Sequence, residues 1–168
     1  MGSMSSAEAL IRSLNLIPHP AEGGYYRETY RSKEVFSPLP ERYRGERAFS
    51  TAIYYLLADG AYSKLHRLES DEVFHFYLGD PVEMLLLPEE GSAAEVVTLG
   101  PNVENGERLQ QVVPRGWVQG ARLKENGSYA LLGCTVAPGF SFEDFSLCDA
   151  DALTKRFPDL EGIIRSLS

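Results

Sequence analysis

From Ser50 to Val136 the chain is a succession of short β-like runs, and this pattern limits the fold more than any other feature. The runs are TAIYYLL (51–57), YSKLHR (62–67), EVFHFYL (72–78), VEMLLL (82–87), EVVTL (95–99), LQQVV (109–113), WVQGARL (117–123) and YALLGCTV (129–136). Between them lie the turn-forming stretches DG, ESD, GD, PEEGSA, PNVENGE, PRG and KENG. Short runs rich in β-branched and aromatic residues, broken this regularly, build antiparallel sandwiches and barrels. The fold class expected is therefore all-β, a two-sheet barrel, with helices only at the two ends.

The end segments carry helix signals. Ser5 to Leu14 reads as a short helix, with Ser5 or Ser6 as its cap, Glu8 in its first turn, and Pro18 and Pro20 to stop it. GGYYRETYRS (23–32) then reads as an extended arm suited to covering a partner's sheet edge, and Ser37 to Gly45 as a surface loop. The tail DADALTKRFPDLEGIIRSLS reads as one or two helices packed outside the barrel, capped by Asp149 and interrupted by Pro158.

A chain of 168 residues is the size of one domain and can bury a core without disulfides or metal staples. We expect one domain over residues 5–168: helix and arm over 5–36, barrel over about 48–147, terminal helices over 149–167. Residues 1–4 read as a cloning remnant and start. A net charge of −8 argues against nucleic acid and anionic membrane as partners, since both need a basic face. A small anion held by a few local arginines remains compatible with it. Neither a signal peptide nor a long apolar run is evident, so the expected location is the cytoplasm, with Cys134 and Cys148 reduced. Cys134, inside ALLGCTV, reads as a packing residue.

Chemistry concentrates between Gly60 and Gly79. Gly60, His66, Glu72 and Gly79 stand in the spacing G-x5-H-x-L-x3-E-x6-G, and Pro114, Gly116 and Gln119 form a second block, P-x-G-x2-Q. Strand side chains alternate between faces. His66 and Leu68 therefore share a face, as do Glu72, Phe74 and Phe76, and as do Trp117 and Gln119; His75 points the other way. In a barrel the first sets face the lumen. His66 is the expected base and Glu72 the carboxylate that orients it. Arg27, Arg31, Arg47, Lys64, Arg67, Arg115 and Arg122 are interleaved with Tyr25, Tyr26, Tyr54, Tyr55, Tyr62 and Trp117. Arginine forks bind phosphate and aromatic faces stack on bases or sugars, so this mixture suits a nucleotide or sugar-phosphate ligand. There is no Gly-rich phosphate loop and no G-x-S-x-G elbow.

The two blocks resemble the two motifs of the cupin superfamily, in which the first supplies His, His and Glu to a metal and the second a further His. Leu68 and Gln119 stand where two of those histidines would be. More specifically, HPAEGGYYRETYRS, STAIYYLL, HRLESDEVFHFYLGDPVEMLLL, LGPNVENGE, VVPRGWVQGARL and LLGCTVAPGFSFEDFSL resemble the DUF985 (Cupin_5) family of single-domain cupins. The resemblance implies a double-stranded β-helix and a homodimer in which N-terminal segments pack across the partner. It also implies likeness to metal-free sugar-nucleotide epimerases of the dTDP-4-dehydrorhamnose type, whose catalytic histidine corresponds to His66 by motif position.

The expectation is a metal-independent cupin, without cofactor, that binds a nucleoside diphosphate or sugar nucleotide and acts as an epimerase or isomerase. His66 and Glu72 would be catalytic. Tyr26, Arg27, Arg47, Lys64, Arg67, Trp117 and Gln119 would bind ligand, with Arg67 or Arg115 on the phosphate. One alternative is a metal-dependent dioxygenase or isomerase with a divalent metal on His66, Glu72 and Gln119. A third is a binding module without catalysis.

Overall fold

The computed structural model describes residues 5–91 and 93–168; the expected cloning remnant at 1–4 lies outside them. Helix α1 (Ser6–Ser13) is followed by β1 (Ile17–Pro18), β2 (Tyr25–Arg31), β3 (Val35–Phe36) and β4 (Arg47–Ala48). The barrel strands are β5 (Thr51–Ala58), β6 (Tyr62–Arg67), β7 (Asp71–Gly79), β8 (Val82–Leu87), β9 (Glu95–Leu99), β10 (Gln110–Val113), β11 (Val118–Leu123) and β12 (Tyr129–Ala137). Strand β13 (Ser146–Leu147) and helices α2 (Ala150–Arg156) and α3 (Glu161–Ser166) close the chain. All eight expected runs are strands, each within two residues of its expected ends.

The strands form a six-stranded sheet, β1-β2-β5-β12-β7-β10, and a five-stranded sheet, β13-β6-β11-β8-β9, antiparallel throughout their ladders. The lumen between them is filled by Tyr55, Leu57, Phe74, Met84, Leu86, Val97, Leu99 and Leu132. Alternation sends Leu65, Leu85 and Leu87 through the other side of the five-stranded sheet, under Leu153, Ile164 and Leu167 of the C-terminal segment. Covering both faces explains why VEMLLL is apolar almost without alternation. Likewise α1 covers part of the six-stranded sheet through Ala7, Leu56, Ala58 and Leu131.

Ser5 caps α1 in a capping box with Glu8. The helix stops before the prolines do the stopping. Asn15 takes a left-handed conformation (φ 53°) and the Leu16 N–H bonds the Ile11 carbonyl at 2.9 Å, closing the last turn. The arm Tyr25–Arg31 covers the edge of this chain's own β5. Asp149 caps α2, and Pro158 opens the 3₁₀ turn between α2 and α3.

Candidate functional site

A cavity of about 600 Å³ opens at one end of the barrel. Its buried end is made by His66 (2 % exposed) and Glu72 (7 % exposed), joined by Glu22, His19 and Cys134. Tyr26, Phe142 and Phe145 make an aromatic wall, and Arg27, Glu28 and Arg31 lie at the exposed end.

Each floor residue has an identifiable support. Gln119 lies directly across the ladder from His66, and its Nε2 donates to Glu72 Oε1 at 2.9 Å, linking the two sheets. The His66 ring stacks on Phe145, with centroids 4.9 Å apart. Its Nδ1–H donates to the Lys64 carbonyl at 2.6 Å, so the neutral ring carries its lone pair on Nε2. That nitrogen lies 3.6 Å from Glu22 Oε2. Glu22 Oε2 also accepts from Ser63 Oγ, and its Oε1 lies 3.5 Å from His19 Nε2.

Glu22 reaches the lumen because its loop is bound to the barrel. The Lys64 N–H donates to the Glu22 carbonyl at 2.8 Å, and the Tyr55 hydroxyl to the Gly23 carbonyl at 2.7 Å. Gly23 and Gly24 both have positive φ, and a side chain at Gly23 would strike the Tyr62 carbonyl. Only glycine lets the loop lie this close.

Burial dominates the electrostatics. It pushes the Glu22 carboxyl up to about 7, with the Ser63 hydrogen bond opposing. Glu72 is also raised to about 7, first by burial and then by the charge of Glu22; His66, Gln119 and Cys134 pull the other way. Burial lowers His66 despite the attraction of Glu72, and lowers His19 to about 4, with His66 adding to the shift. The site is thus two neutral imidazoles beside two carboxyls that titrate near neutrality, a set able to give and take protons.

Several sequence expectations change. Glu72 makes its hydrogen bond with Gln119; the carboxylate in reach of the His66 ring is Glu22. Lys64 points to solvent. A bulge in β6 sets Ser63 and His66 against Ala121 and Gln119, so Ser63 takes the inward place that alternation gives Lys64. Arg67, next to His66, faces away from the lumen, within hydrogen-bonding reach of Cys148. Trp117 packs on the lumen core from the turn before β11 but lines a separate hollow with Glu89, Glu90 and Arg115. Arg115 is therefore also outside the cavity. Arg47 lines it but is spent on the protein. It forks onto Asp144 with two bonds of 2.8 Å, and bonds the Arg44 and Glu46 carbonyls and Glu143. Tyr26 and Arg27 line the cavity, Gln119 is buried against Glu72 and is not part of its lining, and His75 is on the outer face, bonded to Thr135.

His19, Glu22, Ser63, Phe142 and Phe145 were not singled out from sequence. The one available signal was HPAEGG, a histidine and a glutamate ahead of a Gly-Gly pair.

The donors do not fit a metal. Among the described residues no three of His, Cys, Asp and Glu are grouped to hold one. Leu68 is apolar, and the Gln119 amide turns a donor toward Glu72. His19 is unsuited too, because its Nδ1 accepts from the N–H groups of Ala21 (3.2 Å) and Glu22 (2.9 Å), leaving a proton on Nε2.

Two facing antiparallel sheets, with His66, Glu72 and Gln119 at motif positions inside one open end, define the cupin class. The chain belongs to the family described as Cupin superfamily (DUF985), which it matches over residues 8–148. Among solved structures it is similar to a protein from Shewanella oneidensis (36 % identity, 98 % of each chain, TM-score 0.84). It is also similar to a hypothetical protein from Leishmania major (33 % identity, 98 % of this chain and 99 % of that one, TM-score 0.87). Oxalate decarboxylase from Bacillus subtilis shares the fold, at 18 % identity over 92 % of this chain and 38 % of that one (TM-score 0.55). No curated protein matches the sequence.

Proposed function

We propose that this protein is a metal-independent cupin that binds a nucleoside diphosphate or sugar nucleotide in the cavity and shifts a proton on the sugar, as an epimerase or isomerase. The observation that carries the reading is the polarity of the cavity. Its buried end holds proton acceptors and donors, His66, Glu22 and Glu72, complementary to sugar hydroxyls and to an acidic C–H. Its exposed end holds Arg27, which makes one hydrogen bond, to the Leu14 carbonyl at 3.2 Å, and Arg31, which pairs with Glu28. The sugar would enter first, with the phosphates held at the rim and the base against Tyr26 and Phe142. Arginine forks suit phosphate, and a charge-assisted contact adds about 1.5–3 kcal/mol. His66 Nε2, the free lone pair, is the base. We place the protein in the cytoplasm, where its free thiols, Cys134 and Cys148, stay reduced.

Thermal-shift titration with and without chelator tests this. Nucleoside diphosphates and their sugar esters raise the melting temperature in a dose-dependent way. The free nucleoside does so much less, and chelator changes nothing. No shift across millimolar panels overturns the reading. Binding that disappears on chelation restores a metal-dependent one.

A further inference from the structure

We infer that Glu22, carried in from the N-terminal loop, is the proton partner of His66, and that His19 positions it, so the working pair of this barrel is completed from outside the two motif blocks. The inference deepens the reading above and rests on it for its chemistry, but its evidence is geometric. Hydrogen bonds fix both imidazoles. His66 gives its Nδ1 proton to the Lys64 carbonyl and turns a lone pair toward Glu22 Oε2, 3.6 Å away. His19 accepts two backbone N–H groups on Nδ1 and turns Nε2–H toward Glu22 Oε1, 3.5 Å away. Ser63 donates to Oε2. One carboxyl therefore accepts the Ser63 hydroxyl on Oε2, has the His19 Nε2–H 3.5 Å from Oε1, and faces the His66 lone pair 3.6 Å away. A proton on Oε2 offsets the repulsion between that oxygen and the lone pair; its loss leaves two acceptors face to face, 3.6 Å apart. A substrate proton is then welcome on His66 Nε2. Glu72, the motif carboxylate, is bonded to Gln119 and acts on His66 by its charge alone.

The step balances without a cofactor. His66 Nε2 takes a proton from a carbon beside a carbonyl, and the C–H electron pair moves into the enol C–C bond. The carbonyl oxygen receives the Glu22 proton; where the deprotonated carbon carries a hydroxyl, that hydroxyl then returns a proton to Glu22 while His66 gives its proton to the former carbonyl carbon on the same face, which completes an isomerisation. The groups facing Glu22 are His19 from its own loop and Ser63 and His66 from β6, and the charge of Glu22 in turn raises Tyr55 of β5, Glu72 of β7 and Cys134 of β12.

Nitrogen NMR on the full chain with labelled histidine tests this, since the chain has three histidines. The wild type should show His66 protonated on Nδ1 and His19 on Nε2. Between about pH 5.5 and 8.5 both Nε2 signals should move with one common midpoint. Glu22→Gln should abolish the common movement, while Glu72→Gln should keep it at a displaced midpoint. Opposite tautomers in the wild type overturn the inference without any variant. So does a transition that survives Glu22→Gln or is lost only in Glu72→Gln. Failure of every nucleotide to bind removes the functional reading and leaves this test standing.

Discussion

Glu22 and Glu72 make the stability of this protein pH-dependent in a direction opposite to that of an ordinary surface carboxylate. Each is raised from 4.5 to about 7 by burial. Below 4.5 folded and unfolded chains both hold these protons. As pH rises to 7 the unfolded chain releases them first, so the stabilisation is lost as pH climbs through the folded value. His19, lowered to about 4, acts in reverse and costs stability as pH falls below 6.5. Glu72→Gln should melt close to wild type near pH 5 and above it near pH 8; a full displacement of this size corresponds to about 3 kcal/mol, an upper bound. Differential scanning calorimetry at the two pH values checks it, and a gain at pH 5 or a loss at pH 8 contradicts it. His66, Glu72 and Gln119 were legible because alternation on a strand states which way a side chain faces. Glu22 and His19 were not, since a loop has no period. Lys64 was misplaced by a bulge that no residue near it announces. Arg47 was misread because its partner, Asp144, is 97 residues away along the chain.

At the scale of elements, the long strands were written plainly in the sequence and the two-residue ones were not. β1, β3, β4 and β13 are too short to carry a pattern, and the pairings of β3 with β4 and of β13 with β6 depend on what surrounds them. The turn Phe142–Asp144 shows the consequence. Its place over the cavity depends on the buried Arg47–Asp144 pair, which holds Phe142 beside His19 and Phe145 against His66. Asp144→Ala would leave the buried Arg47 charge with only the exposed Glu143, 3.4 Å away, as its ion partner. It should cost about 3–5 kcal/mol in urea unfolding and loosen the aromatic wall. A loss below about 1 kcal/mol, the range of a surface pair, contradicts this account of the turn.

The whole molecule is an acidic barrel with helices on both outer faces, and no helix among the described residues is long and apolar enough to cross a membrane. The six-stranded sheet leaves Tyr30, Tyr77 and Val112 exposed beyond α1, together with Leu78. Exposed apolar surface on a sheet is where a second copy would dock, and a homodimer is our expectation. Sedimentation equilibrium should give a dimer at tens of micromolar protein, roughly where interfaces of standard size are saturated; a monomer whose mass does not change with concentration would contradict it. The central claim is that ligand enters the lumen and meets His66. Calorimetric titration of wild type, His66→Ala and His75→Ala with one sugar nucleotide tests it most directly. His66→Ala should bind about tenfold or more weakly, a loss of about 1.4 kcal/mol, and His75→Ala should match wild type. Equal affinities in all three proteins, or a loss confined to His75→Ala at equal thermal stability, would contradict it.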